Sequence, residues 1–290
     1  MRICRKVKMP GAQHNLIQLY PAQIDSPRPF LKWVGGKRQL MPHLMGALPQ
    51  NFNRYFEPFL GGGALFFELM PVRAFLSDCN MELIGTYAAI RDDVEGVIRH
   101  LKRHRYTEEH YYRVRAQNVA RMSDAGKAAR MIYLNRTGFN GLYRVNSKGE
   151  FNVPFGRHTN PRICDESNLR AVAASLEDVD LRVASFEHIL DSARKGDFIY
   201  MDPPYIPLSR TSNFVAYQKH GFGMENQETL AKMFESLDAR GCYLMLSNAD
   251  VPWMKRRYRG YRIRPVRAAR CINAKASARG PVGELIVTNY

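Results

Sequence analysis

The sequence predicts an α/β fold built around a mostly parallel sheet of seven strands. One observation is the alternation of short apolar segments with helical stretches along much of the chain, which is typical of βα units. A second is the strand-like segment Tyr55–Phe59, which runs into the glycine-rich turn Leu60–Ala64 and then into a predicted helix over Leu65–Met70. A strand, turn and helix of this kind form the first half of a nucleotide-binding βα unit.

Six further segments complete the predicted sheet: Ala74–Asp78, Val179–Ala184, Asp197–Met201, Cys242–Asn248, Tyr261–Val266 and Leu285–Thr288. No convincing helix separates the last two segments, so we expect them to form an antiparallel hairpin at the sheet edge. Another helix is predicted to begin near Gln39.

The middle of the chain interrupts the βα rhythm. It begins with basic helical sequence and contains a second predicted helix near Asp124–Leu134. Two short strands, Tyr143–Val145 and Phe151–Val153, are expected to form a β-hairpin around the turn Asn146–Gly149. Arginine, asparagine and aromatic side chains on such a hairpin suit the reading of DNA bases. We therefore predict a loose leader at 1–26, a catalytic domain formed by 27–90 and 181–290, and an inserted recognition domain at 91–180.

The most informative motif is Asp202-Pro203-Pro204-Tyr205, which directly follows a predicted strand. Two prolines cannot extend a sheet ladder, so the chain must leave the sheet in a stiff, extended turn. That turn places a carboxylate, the backbone carbonyl of Pro203 and an aromatic ring at the carboxyl edge of the sheet, where open α/β sheets bind ligands. The arrangement suits an exocyclic amine on a planar heterocycle. The alternative is a proline turn that only ends a strand.

Two other segments are candidates for binding a nucleotide-like cofactor. Asp78 ends a predicted strand about 20 residues after the first one, where an acid can bind ribose hydroxyls; a helix-capping role is the alternative. The loop Phe30–Lys37 combines an aromatic residue, two glycines and a lysine that can meet a carboxylate. The sequence lacks both G-x-G-x-x-G in the glycine turn and the G-K-[ST] of a P-loop, which disfavours dinucleotides and ATP.

Charge is the second strong signal, with a formal net charge of +16 and a sequence pI near 9.8. A basic excess of this size indicates a polyanionic partner, and we expect Arg256 and Arg257 to contact phosphates. One run, without an acidic residue among its members, contains Lys255, Arg256, Arg257, Arg259, Arg262, Arg264, Arg267, Arg270, Lys275 and Arg279. A second, interleaved with tyrosines, contains Arg99, Lys102, Arg103, Arg105, Arg113 and Arg115. A solvated basic face is the alternative; neither run has the apolar face of a membrane anchor.

Cysteine usage and hydropathy bear on the cellular compartment. The five cysteines are scattered and no pair has C-x-x-C spacing, which favours reduced thiols in a cytosolic protein and disfavours a structural zinc site. No apolar run is long enough to span a bilayer, and no signal peptide is visible. Because the histidines are scattered as well, no metal ion is expected. We therefore expect a cytoplasmic protein without membrane contact.

Taken together, these motifs resemble those of the Dam-type DNA adenine-N6 methyltransferases, in the group whose D-P-P-Y motif follows the recognition domain. The likeness covers Phe30 to Tyr290. Five motifs occur in the family's order: Phe-Leu-Lys-Trp-Val-Gly-Gly-Lys, Glu-Pro-Phe-Leu-Gly-Gly-Gly, Asn-Gly-Leu-Tyr-Arg, Phe-Asn-Val-Pro-Phe-Gly and Asp-Pro-Pro-Tyr. The resemblance implies a Rossmann-like, S-adenosylmethionine-dependent methyltransferase fold. It also implies methylation of a flipped adenine in double-stranded DNA, within GATC or a related GAT-containing site.

The resemblance also implies roles for individual residues. The implied S-adenosylmethionine contacts are Trp33, Lys37, Glu57, Phe59, Gly61, Gly63, Asp78 and Asp202. The implied catalytic residues are Asp202, Pro203 and Tyr205. The implied DNA contacts are Phe139, Asn140, Arg144, Pro154 and His158. The family often has a tyrosine in place of Phe139 and an aromatic residue in place of His158, so stacking is retained at the first position without the phenolic contact.

Other functions remain open at this point. The same fold with a proline-containing acceptor motif methylates RNA adenines and protein glutamine amides, and a catalytically silent DNA-binding protein is a further alternative. The predicted hairpin favours duplex DNA, and the intact set of Trp33, Lys37, Asp78 and Asp202 argues against a silent protein. A monomer without an obligate protein partner is expected. The sequence leaves open a restriction-modification, orphan or phage role.

Overall fold

The computed structural model describes residues 26–37, 39–206, 222–269 and 281–290. Within them, seven strands form one sheet: β1 (Tyr55–Glu57), β2 (Ala74–Asp78), β3 (Asp180–Val183), β4 (Phe198–Met201), β5 (Tyr243–Ala249), β6 (Arg262–Ala269) and β7 (Pro281–Thr288). The strand order is β3-β2-β1-β4-β5-β7-β6. Strands β1 to β5 are parallel, and β7 is antiparallel to both of its neighbours. The predicted mostly parallel sheet and its antiparallel edge hairpin are therefore confirmed.

The sheet has a topological switch point between β1 and β4. From β1 the chain moves outward to β2 and β3, and it then returns to β4 on the other side of β1. Crossover connections leave such a pair of strands in opposite directions, which opens a crevice outside their carboxyl ends. The glycine-rich turn follows β1 and the D-P-P-Y motif follows β4, so both predicted ligand-binding segments meet at this crevice.

Nine α-helices lie within the described residues: α1 (Met41–Met45), α2 (Ala64–Leu69), α3 (Met81–Leu101), α4 (Glu108–Arg115), α5 (Asp124–Thr137), α6 (Glu166–Ser175), α7 (Ile189–Ser192), α8 (Met224–Ala239) and α9 (Pro252–Arg257). Successive residues of a strand point to opposite faces of the sheet, and helices pack against both of these faces. On β4, Phe198 and Tyr200 join the hydrophobic cluster that contains α3, α5 and α6. Ile199 and Met201 join the cluster that contains α7, α8 and α9.

The segment predicted as an inserted domain is packed against the sheet domain. Helix α3 extends across the predicted domain boundary, although its backbone is non-helical at Asp93. The Asp93 side chain accepts a hydrogen bond from the Gly96 amide at 2.9 Å. Buried Tyr111 and Tyr133 of the insertion belong to the same hydrophobic cluster as β4 and β5. The division into two domains therefore stays a prediction, and the predicted leader lies almost wholly outside the described residues.

Several predicted boundaries shift for physical reasons. β1 ends at Glu57 rather than Phe59, because Pro58 cannot donate to a sheet ladder. The predicted two-stranded hairpin was too long: only Val145 and Phe151 form a bridge. Backbone hydrogen bonds flank this bridge, from the Asn146 amide to the Glu150 carbonyl at 2.9 Å and from the Asn152 amide to the Arg144 carbonyl at 3.0 Å. Within the turn, the Asn146 carboxamide oxygen accepts from the backbone amides of Lys148 and Glu150 at 2.9 and 3.0 Å.

No helix in the described part of the chain has the length and apolar character needed to span a membrane.

Candidate active site

Asp202 lies at the carboxyl end of β4 and is held from two sides. Its Oδ2 atom is 2.8 Å from the Nζ atom of Lys37, a buried lysine of the loop before α1. Its Oδ1 atom accepts a hydrogen bond from the Ser247 hydroxyl at 2.7 Å, and that hydroxyl lies 3.0 Å from the hydroxyl of Tyr200. Charge-assisted bonds of this kind are short and strongly directional. The carboxylate is therefore fixed in orientation at the crevice.

Tyr205 lies two residues beyond the first proline, and its ring is held at both ends. The hydroxyl donates to Glu284 Oε2 on β7 at 2.9 Å. The Lys37 ammonium lies 4.8 Å from the ring centroid, which is a cation–π distance. Burial, followed by the Asp202 carboxylate, raises the pKa of Tyr205 well above its usual range. The hydroxyl therefore remains a protonated donor at neutral pH.

The two prolines differ in environment. Pro203 is buried, whereas Pro204 is exposed and its carbonyl accepts a hydrogen bond from Gln227 Nε2 at 2.9 Å. The acceptor role that we predicted for the Pro203 carbonyl stays a prediction.

The glycine-rich turn after β1 is shaped by Asp78 and Trp33. The Gly61 amide donates to Asp78 Oδ2 at 3.0 Å, and the Asn80 amide donates to Asp78 Oδ1 at 2.9 Å. Gly61 has φ +48°, and a Cβ atom there would lie 2.8 Å from Trp33 Cδ1, so only glycine allows Trp33 to cover the turn. Gly63 also has a positive φ of 63°. Burial raises the pKa of Asp78, against the lowering effect of the two backbone amides.

Glu57 is a buried carboxyl at the end of β1. The Tyr55 hydroxyl donates to its Oε2 atom at 2.7 Å. Burial raises the pKa of Glu57 to about 8, and Asp202 adds to the shift, while the Tyr55 hydrogen bond and the Lys37 ammonium oppose it. A buried carboxyl with a perturbed pKa in a crevice is typical of functional sites, although its predicted contact with a cofactor remains a prediction.

An aromatic cluster flanks the same crevice. Phe59 stacks on Phe186 with ring centroids 5.3 Å apart, and Phe222 meets both rings edge-on at 5.5 Å. Sequence reasoning identified Phe59 but missed Phe186 and Phe222. Phe186 follows β3 at the carboxyl edge of the sheet, and that position is the signal that would have found it.

The predicted DNA contacts lie on the segment after α5. Phe139 is 48% exposed, and the neighbouring Asn140 adopts a left-handed backbone conformation with φ +53°. The Phe139 amide donates to the carbonyl of Pro154, which is itself exposed. Arg144 is exposed and donates from Nε to Asn152 Oδ1 at 2.6 Å. These four predicted residues are therefore accessible to a partner.

His158 differs from the other predicted DNA contacts. One ring nitrogen lies 2.9 Å from the Gly138 carbonyl, and its amide donates to the Tyr106 hydroxyl at 2.6 Å. Tyr111, one of the tyrosines interleaved with the second basic run, is fully buried and donates to the Val153 carbonyl at 2.9 Å. Both tyrosine hydroxyls bond to the backbone of the recognition segment and support it from beneath.

Asn135 connects the catalytic and recognition segments, and sequence reasoning missed it. Its carboxamide exchanges two hydrogen bonds with the Lys32 backbone, both at 2.8 Å, and donates to the Gly141 carbonyl at 2.9 Å. Gly141 closely approaches the Lys32 side chain, which leaves no room for a Cβ atom. The loop that carries Trp33 and Lys37 is thereby fixed against the turn that carries Phe139.

Comparison with known proteins shows the family to which the chain belongs. Residues 33–272 match the sequence model of a family described as D12 class N6 adenine-specific DNA methyltransferase. The chain belongs to this family. A type II methyltransferase of Lactococcus lactis subsp. cremoris is 45% identical over 271 residues, which cover 91% of this chain and 95% of the relative. A type II methyltransferase of Methanocaldococcus jannaschii is 40% identical over 91% of this chain and 99% of its own length. A DNA adenine methylase of Haemophilus influenzae is 35% identical over 89% and 92%.

The protein is therefore an adenine-specific DNA methyltransferase, and the family, enzyme class and DNA substrate predicted from the sequence are confirmed. Among the described residues, no group of three or more His, Cys, Asp or Glu side chains lies close enough to hold a metal ion.

The basic runs of this methyltransferase are partly neutralised in three dimensions. Arg257 pairs with Glu228 at 3.1 Å and with Glu235 at 2.5 Å, both on α8. Lys255 pairs with Asp250 at 2.6 Å. The balancing carboxylates of Arg257 come from a helix distant in sequence, and its predicted contact with phosphates stays a prediction. Arg270, Lys275 and Arg279 lie outside the described residues.

Proposed function

We propose that this methyltransferase transfers the methyl group of S-adenosylmethionine to the N6 amine of an adenine extruded from double-stranded DNA. The observation that carries the proposal is the meeting of Asp202 and Tyr205 with the Gly61 turn and Asp78 at the sheet's switch point. One side of the crevice suits an amine on a planar base, and the other suits a nucleoside. The methyl donor and the acceptor would thus meet between β1 and β4.

The residues around the glycine-rich turn fit S-adenosylmethionine. Each carboxylate oxygen of Asp78 accepts one backbone amide, which leaves acceptor capacity for the ribose hydroxyls. Phe59 offers an aromatic surface, and Gly61 and Gly63 allow close backbone approach. Further contacts are proposed for Trp33, Lys37, Glu57 and Asp202. When bound, the cofactor supplies an electrophilic methyl group on a sulfonium centre.

Asp202 and the Pro203 carbonyl would bind the two hydrogens of the target amine. The lone pair of an adenine amine is conjugated into the ring, so it is a poor nucleophile in the plane of the base. Two acceptors would favour a pyramidal nitrogen and stabilise its developing positive charge, which combines orientation with electrostatic stabilisation. Lys37 and Ser247 hold the Asp202 carboxylate in the required direction. No strong base is needed before attack, because the amine becomes acidic once it is alkylated.

Tyr205 would stack on the target base. The base must leave the duplex first, because its amine is otherwise paired and inside the helix. Phe139, Asn140 and Arg144, supported by Pro154 and His158, are proposed to enter the duplex and read the site, with Arg144 on a guanine edge. GATC, or a related site containing GAT, is the proposed target. A monomer in the cytoplasm is proposed, and the type II names of two relatives support a restriction-modification role.

Substitution of Asp202 tests the proposal. Asp202→Ala should lower the single-turnover rate by about 100-fold or more, because it removes an acceptor for the charge on the amine. The measurement is transfer of labelled methyl from S-adenosylmethionine to duplexes with and without GATC, to single-stranded RNA and to a glutamine-containing protein extract. Asp92→Ala, which removes an exposed carboxyl paired with Arg91, is the control and should retain wild-type activity.

Two results would contradict the proposal. Activity of Asp202→Ala within a few-fold of wild type would remove the assigned role of this carboxylate. Wild-type methylation confined to duplexes without GAT would refute the proposed target site.

A further inference from the structure

A pair of buried carboxamides holds the loop that carries Tyr205. Gln227 on α8 is 1% exposed, and its Nε2 atom donates to the Pro204 carbonyl at 2.9 Å. Asn248 on β5 is fully buried; it donates from Nδ2 to Gln227 Oε1 at 3.1 Å and accepts from the Ile206 amide at 3.2 Å. The two side chains are thus joined to each other and grip the backbone on both sides of Tyr205.

A third contact fixes the far end of the Tyr205 ring. Its hydroxyl donates to Glu284 at 2.9 Å, and Glu284 on β7 is the register partner of Ala249 on β5. Asn248, which bonds the backbone next to Tyr205, and Glu284, which bonds its hydroxyl, therefore lie on neighbouring strands of the sheet. Since the Lys37 ammonium lies over one face of the ring, a base would stack on the opposite face.

These contacts remove the conformational freedom that the prolines leave. Proline fixes φ at Pro203 and Pro204, but ψ of Pro204 and both backbone angles of Tyr205 remain free to rotate. The hydrogen bonds at Pro204 and Ile206 restrain those angles, and the bond to Glu284 restrains the side chain. Burial of two carboxamides is unfavourable unless each polar atom is paired, so an apolar contact between α8 and β5 would join these elements more simply.

We propose that Gln227, Asn248 and Glu284 are positioning residues that hold the Tyr205 ring ready to stack on the extruded adenine. The inference rests on the function proposed above. Stacking of a base on an aromatic side chain depends on parallel rings at close distance. A ring fixed before the base arrives loses no conformational entropy when the base stacks, whereas a mobile ring would have to be ordered at that moment.

The test compares variants of the positioning residues with a control variant at a distant position. Gln227→Leu removes both bonds of the carboxamide, Glu284→Ala removes the hydroxyl acceptor, and Glu284→Gln retains an acceptor. Tyr205→Ala is the reference for complete loss of stacking. The control is Asn289→Ala: Asn289 also joins distant segments, through Asp238 at 2.7 Å and the Cys242 carbonyl at 2.8 Å, but it lies at the amino end of β5, away from the site.

Two quantities are measured with the full chain. The single-turnover rate is measured on a cognate duplex with adenine at the target position, and fluorescence is measured on the same duplex with 2-aminopurine there. We expect Gln227→Leu and Glu284→Ala to lower the single-turnover rate at least about 5-fold, within the range of roughly 5- to 100-fold expected for Tyr205→Ala. Their 2-aminopurine fluorescence should be brighter than that of wild type, because an unstacked base is less quenched. Glu284→Gln should resemble wild type, and S-adenosylmethionine affinity should not change.

The control separates positioning from stability. If Gln227→Leu and Glu284→Ala match Asn289→Ala in rate and fluorescence at equal loss of unfolding midpoint, the residues only stabilise the fold and the proposal is overturned. If Gln227→Leu does not fold, the comparison of Glu284→Ala with Glu284→Gln still decides, since equal fluorescence in those two variants contradicts positioning. Failure of the wild-type enzyme to methylate the cognate adenine would instead overturn the proposed function itself.

Discussion

At the scale of single residues, the site depends on charges that are buried together. Lys37 was predicted to meet a carboxylate, and in the structure it lies 2.8 Å from Asp202. Glu57 is buried nearby and has no cation bonded to it directly within the described residues. Removal of a carboxylate from water without a paired cation favours the neutral acid. With a pKa raised to about 8 by burial, Glu57 changes its protonation near neutral pH.

The perturbed carboxyl makes stability depend on pH. The pKa of Glu57 is raised to about 8 in the folded protein, whereas the pKa of a glutamate in an unfolded chain is about 4.3. The stabilising contribution of the bound proton is complete below the unfolded pKa and is lost as pH rises through the folded pKa. Relative to Glu57→Gln, the wild-type free energy of unfolding should fall by up to about 1.4 kcal/mol per pH unit in this window.

Urea denaturation of both proteins across this window checks the expectation. Glu68→Gln, which changes an exposed carboxyl on the adjacent helix α2, is the control and should follow the wild-type curve. A constant difference between wild type and Glu57→Gln at every pH would show that Glu57 does not bind a proton in the folded protein.

At the scale of elements, the recognition segment is a turn braced by side chains. Arg144 donates from Nε to the Asn152 side chain at 2.6 Å and from a terminal nitrogen to the Asn152 backbone carbonyl at 3.1 Å. Within the described part of the chain, the other terminal nitrogen of the guanidinium forms no hydrogen bond. The Trp33 ring lies 5.5 Å from that of Tyr143, so the residue before Arg144 packs against the proposed cofactor loop.

Substitution of Arg144 should change sequence choice more than overall binding. Arg144→Ala removes an arginine–guanine contact, which contributes roughly 1–3 kcal/mol of discrimination at one base pair. Methylation mapping on random duplexes should therefore show relaxed preference at one position. Arg162→Ala, which breaks an exposed pair with Asp165, is the matched control. An unchanged site with uniformly lower activity would mean that Arg144 only holds a phosphate.

Elements were predictable from the sequence where their signals are local. The strands β2, β4 and β5 are short apolar runs followed by polar or proline residues, and all were predicted to within one or two residues. The length of the hairpin was overestimated because its apolar alternation is real, but only one bridge forms, and the Asn146 side chain stabilises the turn beside it. Helix α3 was not predicted as one unit, because the effect of packing on either side of Asp93 is not visible in the sequence.

At the scale of the whole molecule, what the sequence could not show is which distant residues meet. Asp202 and Tyr205 were identified from one motif, yet Ser247 lies 45 residues and Glu284 79 residues away from their partners. Asn135 contacts Lys32 across 103 residues. None of these supports has a recognisable spacing, because the packing of elements distant along the chain brings them together.

The protein has a net charge of +16, but we expect only some of its basic residues to contribute to DNA binding. Lys148 is exposed on the recognition turn beside Arg144, whereas Arg257 pairs with Glu228 and Glu235 on α8. Lys148→Ala should weaken binding to all DNA sequences alike and reduce the slope of log affinity against log salt by about 0.9. Arg257→Ala should leave that slope unchanged and lower the free energy of unfolding by about 1 kcal/mol or less.

Binding measured from about 50 to 200 mM salt on cognate and random duplexes compares the two variants. A reduced slope for Arg257→Ala would mean that DNA contacts Arg257 and breaks its ion pairs with α8. An unchanged slope for Lys148→Ala would mean that the recognition turn contacts bases without contacting phosphates. With the expected result, orientation on DNA follows from the exposed cations of the recognition turn, since cations paired with carboxylates attract DNA only weakly.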